Sequence, residues 1–164
     1  MIAYRQSREN LVERVASFPV ETPIGEMTAH AYRTPFDTVL HFAFVLGTIG
    51  DGRSVPARLH RADIVSDIFG AGSIEKVLRG FKNDGCGVLV YLRDGAAGVP
   101  VNPLPEEKSA EADRNRQWRE VGVGAQILRD LGVSSIRNLT TSVHDYKGLS
   151  GFGIEIVSSE QLEG

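Results

Sequence analysis

The longest uninterrupted apolar runs in this chain, Phe42 to Leu46 and Val88 to Leu92, are each only five residues long. Runs of that length suit a strand and are far too short to span a bilayer as helices, so they restrict the chain to a sheet-containing globular fold. Around them the apolar period switches to that of a helix twice. Ser73 caps a stretch reaching about Asn83 in which Ile74, Val77, Leu78 and Phe81 share one face. Glu111 to Leu131 presents Val121, Ala125, Ile127 and Leu128 to a core before Gly132 stops it. Thr28 to Arg33, Thr38 to Leu46, Val55 to His60, Gly87 to Arg93, Ile136 to Leu139 and Gly153 to Val157 read as strands. A turn at Thr34 to Asp37 separates the first two of these, and Gly50-Asp51-Gly52 is a hairpin signal before the third. Asp94 to Glu107, broken by Gly95, Gly98, Pro100, Pro103 and Pro105, forms a loop, as does polar Thr140 to Ser150. Three early antiparallel candidates followed by alternating helices and strands predict an α/β (α+β) fold, a mixed sheet with packed helices.

Residues 2 to 17 read as a short amphipathic helix of linker character, with Leu11, Val12 and Val15 opposite Arg5, Arg8, Glu9, Glu13 and Arg14. Phe18-Pro19 ends it, leaving 18 to 164 as one domain, and a chain of 164 residues with 41% hydrophobic content has enough to bury a single core. The net charge of -3 with scattered Lys and Arg leaves no broad footprint for nucleic acid or membrane, although a few local Arg residues suffice for a phosphate pocket. Met1-Ile2-Ala3-Tyr4-Arg5 runs straight into charged residues without a signal-peptide pattern, so a cytoplasmic location is expected. The single cysteine, Cys86, sits among Gly85, Gly87, Val88 and Leu89, reads as a core residue at the start of a strand, and has no His or cationic cluster beside it in sequence to make it a nucleophile.

Val121-Gly-Val-Gly-Ala-Gln-Ile-Leu-Arg-Asp-Leu-Gly-Val133 resembles a long and specific stretch of the GTP cyclohydrolase II family. Leu59-His60, Asp67-Ile68-Phe69-Gly70, Gly87 to Arg93, Ile136 to Thr140 and Leu149 to Ile156 follow in family order, so the resemblance covers nearly the whole chain. Ile2 to Arg5 with Leu11 to Arg14 looks like the segment that follows a 3,4-dihydroxy-2-butanone 4-phosphate synthase domain in bifunctional proteins of riboflavin biosynthesis. The resemblance therefore implies a C-terminal half of such a fusion, and it also implies a homodimer, with the helix around Gln117 to Leu131 and Trp118 as a contact surface or, for Trp118, a core position.

The family's chemistry uses zinc held by three cysteines, which leaves one position open for an activated water. Here the first of those positions is Asp63, and the Cys-x-Cys segment has contracted to Phe69-Gly70-Ala71-Gly72-Ser73. No metal and no cofactor is expected; a site of Asp63, Asp67 and His60 is conceivable, but such carboxylates more often solvate a loop. The family's phosphate loop reads Arg93-Asp94-Gly95-Ala96-Ala97-Gly98-Val99-Pro100, with Gly95 for Glu and Ala97 for the phosphate-binding Arg. Gln117 stands for the proton-accepting Asp, and Asp145 for the Lys that partners guanine. What survives is Arg119 at the catalytic Arg position and Arg58, His60 and Thr140 at substrate-binding positions. These remnants imply a degenerate domain with weak nucleotide or phosphate affinity, structural or regulatory in role. The alternative is an active hydrolase or nucleotide-binding domain whose rearranged site draws Arg58, His60, Arg119 and Thr140 into one pocket.

Overall fold

The computed structural model describes residues 12–35, 38–62, 64–69, 73–93, 110–140 and 147–161. Seven strands, β1 (Glu13–Thr22), β2 (Gly25–Arg33), β3 (His41–Leu46), β4 (Val55–Arg61), β5 (Gly87–Leu92), β6 (Ser135–Thr140) and β7 (Glu155–Gln161), form one sheet in the order β1-β2-β3-β5-β4-β6-β7. From β1 to β5 the neighbours run antiparallel, and from β5 through β4 and β6 to β7 they run parallel. The helices are α1 (Ile64–Phe69), α2 (Ser73–Asp84) and α3 (Ala110–Asp130), with a 3-10 turn at Lys147–Phe152. The expected mixed sheet with packed helices is the observed architecture.

Because side chains alternate along a strand, each face of the sheet builds its own core. Tyr32, Ala43, Ala57, Leu59, Val88, Val90 and Ile136 lie on one face, against Val121, Val123, Ala125, Ile127 and Leu128 of α3. Met27, Leu89 and Leu139 lie on the other, against Val77 and Phe81 of α2. Gly124 lets α3 approach closely: a Cβ there would meet Leu59 Cδ2 at 2.5 Å.

Three expectations need correction. Residues 13–17 are not helix but the start of β1, paired with β2 from Glu13 opposite Arg33 to Thr22 opposite Gly25; residues 2–11 lie outside the described residues. Three apolar residues at helical spacing hold a helix less well than a ten-residue strand ladder holds a strand, and Pro19 is tolerated because β1 is an edge. The Gly50-Asp51-Gly52 turn does not close a hairpin, because β5 lies between β3 and β4. Its backbone is drawn elsewhere: the carbonyl of Gly52 accepts from the amides of Ser134 at 2.7 Å and Ser135 at 3.1 Å, which fastens the turn to the α3–β6 connection. Cys86 is half-buried just ahead of β5 rather than in the core. The loop expected at Asp94 to Glu107 lies outside the described residues.

Candidate functional site

β4, β5 and β6 run parallel and end at the same edge of the sheet, at Arg61, Leu92 and Thr140. Crevices beyond the carboxyl ends of parallel strands are where α/β sheets bind ligands, and Arg58, His60 and Thr140, the positions expected to bind substrate, all sit in the last residues of β4 and β6 before that edge. Alternation then divides them. Leu59 faces α3, so Arg58 and His60 face α2; Leu139 faces α2, so Thr140 faces α3. The sheet thus brings Arg58 and His60 together and sets Thr140 on the opposite face. Arg119 and Gln117 belong to the part of α3 whose backbone alone is described, while Asp63, Gly95, Ala97 and Asp145 lie outside the described residues.

His60 is the centre of a polar cluster at this edge. Register places it beside Tyr91, and the two rings stack with centroids 5.4 Å apart and planes 19° from parallel. Both donate to one carboxylate: His60 Nε2 to Asp67 Oδ1 at 2.7 Å, and the Tyr91 hydroxyl to Asp67 Oδ2 at 2.7 Å. The His60 and Asp67 side chains are 7% and 11% exposed, so these bonds are made largely away from water, where they are strongest. The sequence suggested His60 as a substrate-binding position and Asp67 as loop solvation; in the structure the two bond each other. The pairing of 67 with 91 depends on the β4–β5 register, and the signal available beforehand was an Asp seven residues beyond the His in a segment able to fold back as a helical turn.

The remaining polar groups tie this edge to its surroundings. The Arg93 amide donates to His41 Nδ1 at 2.9 Å and its guanidinium to the Leu40 carbonyl at 3.3 Å, which fixes the exit of β5 against the entry of β3. Arg58 reaches the Leu139 carbonyl at 3.5 Å, and Arg61 pairs with Glu120 of α3 at 3.4 Å. Three arginines and two histidines gathered at the ends of β3, β4 and β5 are a set able to attract a phosphate, though each is already engaged with protein.

The donors do not fit a three-cysteine zinc site. Cys86 is the one cysteine of the chain, and it precedes β5 at the end opposite Tyr91. Five residues of strand at about 3.3 Å each separate it by about 16 Å from the His60–Tyr91 pair. Among the described residues, no three His, Cys, Asp or Glu side chains gather closely enough to hold a metal ion.

Comparison with known proteins agrees with the architecture. A family model described as GTP cyclohydrolase II matches residues 13–161. A monofunctional riboflavin biosynthesis protein, RIBA 2 of Arabidopsis thaliana, named as chloroplastic, is 39% identical over 95% of this chain and 35% of its own length. The riboflavin biosynthesis protein RibBA of Bacillus cereus is 33% identical over 99% of this chain and 46% of its own. Among solved structures, RibBX of A. baumannii, a two-domain 3,4-dihydroxy-2-butanone 4-phosphate synthase, superposes with a TM-score of 0.62 at 26% identity, covering 99% of this chain and 43% of that one. The chain spans less than half the length of each of these relatives. With a matched segment that runs from the first strand to the last and relatives alike over nearly its whole length, the chain belongs to the GTP cyclohydrolase II family.

Proposed function

We propose that this chain is a GTP cyclohydrolase II-like domain of riboflavin biosynthesis that works without zinc and without GTP cyclohydrolase activity. In this reading it serves as a structural or regulatory partner of a 3,4-dihydroxy-2-butanone 4-phosphate synthase domain, self-associates as a dimer, and acts in the cytoplasm. The observation that carries the reading is the cysteine inventory: one thiol, at the wrong end of β5, where the family's chemistry uses three. A catalytic unit loses nearly all its rate when a central member goes, and here the metal ligands, the base at Gln117, the loop Arg at Ala97 and the guanine Lys at Asp145 are all replaced. The split of Arg58 and His60 from Thr140 across the sheet weighs against the rival reading of a rearranged hydrolase pocket. RibBX, a solved relative of the same architecture, is named for its synthase activity, which supports a partner role.

The test is calorimetric titration with GTP alongside metal analysis of the purified protein. Loss of two charge-assisted contacts at about 1.5 to 3 kcal/mol each predicts an affinity at least about a hundredfold below that of a complete site. The same preparation is expected to carry no stoichiometric zinc after dialysis against a mild chelator. Low-micromolar GTP binding, or about one zinc per chain, refutes the reading.

A further inference from the structure

Helix α1 is held to the molecule in an unusual way. It has six residues, about half the length at which an isolated helix becomes even marginally stable. The large apolar side chains described on it do not anchor it, since Val65, Ile68 and Phe69 are 54%, 65% and 80% exposed. Among the described residues no strand or other helix packs closely along it. Asp67 alone of the side chains described on α1 turns inward, and it meets two donors on two different strands, His60 of β4 and Tyr91 of β5, at 2.7 Å each. The stack between those two rings holds both donors in place before the carboxylate arrives.

We propose that α1 is a latched helix and that Asp67 is its latch. The helix stays docked over the ends of β4 and β5 while the carboxylate receives both bonds. It opens as a unit, with the sheet intact, when they are withdrawn. Docked, it shields the imidazole of His60 and the hydroxyl of Tyr91; open, it presents both to solvent beside Arg58. Asp67 is thus a positioning residue, acting through α1, and the inference holds whether or not a nucleotide binds at this edge.

Amide hydrogen exchange in the wild-type chain, Tyr91→Phe and Asp67→Ala tests it. Tyr91→Phe withdraws one of the two bonds and keeps the ring, so exchange at Ile68 and Phe69 is expected to quicken about tenfold; Asp67→Ala withdraws both, for about a hundredfold. Amides of β4 and β5 are expected to keep their wild-type protection in both variants. Unchanged exchange in α1 overturns the proposal, as does loss of protection in α1 and the sheet together in Tyr91→Phe. If Asp67→Ala fails to fold, Tyr91→Phe decides alone, because removing a single hydroxyl leaves the packing of the ring in place.

Discussion

Gly50 and Gly52 share one turn and nearly one backbone conformation, with φ of +71° and +79°, yet they do different work. A Cβ on Gly50 would meet nothing within 4 Å, whereas one on Gly52 would lie 1.9 Å from the carbonyl oxygen of Gly132. Gly50→Ala is therefore expected to cost about 1 to 2 kcal/mol, the penalty of a left-handed conformation. Gly52→Ala is expected to cost at least about 2 kcal/mol more, because a backbone oxygen cannot rotate aside as a side chain can. Urea denaturation of the two variants checks this, and equal midpoints would show that the turn relaxes freely. The Gly-Asp-Gly signal was legible as a turn; its partner was not, because Ser134 is 82 residues away. Residue-level legibility has the same limit at the candidate site. Arg58, His60 and Thr140 were singled out by motif order, while Asp67 and Tyr91 acquire their meaning only from strand register and the fold-back of α1.

Strands and helices with a strong period were legible, and those with a weak one were not. α2 and α3 begin and end within a residue of their expected bounds: α2 opens at Ser73, and Gly132, with φ of +88°, stops α3. β1 was misread because its apolar residues were weighed against a helical period before its ladder partner was known. That strand is also tied to α3 through side chains: the Tyr32 hydroxyl on β2 donates to Asp130 Oδ2 at 2.8 Å, and Arg14 Nε of β1 lies 3.2 Å from the same oxygen. Burial, and secondarily Asp130, hold the Tyr32 phenol well above its ordinary ionisation range. The unfolded chain then releases this proton near pH 10 while the folded chain keeps it, so the native state binds more protons and stability falls as pH rises beyond that point. Wild-type stability is expected to lose up to about 1.4 kcal/mol per pH unit from this one group, a slope that Tyr32→Phe removes. Denaturation of both proteins between about pH 9.5 and 11.5 measures it, and identical slopes would exclude Tyr32 as the source.

Taken whole, the molecule is one sheet whose fourth strand in space, β5, is fifth in sequence. β5 joins an antiparallel half made by residues 13–46 to a parallel half that closes only at residue 161, so neither half is complete without it. Val90, fully buried, pairs with Ala43 on one side and Leu59 on the other. Val90→Ala is expected to cost about 2 kcal/mol and to appear mostly as slower folding, because the two halves must meet across this strand in the transition state. A chevron in which only the unfolding arm moves would contradict that. The same interleaving matters while the chain emerges from the ribosome, at 5 to 20 residues per second in general. β4 can pair with β5 once residue 92 is free, but its other edge stays bare until β6 arrives at residues 135–140, a delay of several seconds. During that interval the growing chain carries an apolar, unpaired strand edge. Any domain synthesised ahead of it, or any chaperone waiting at the tunnel exit, meets this protein first as an open sheet.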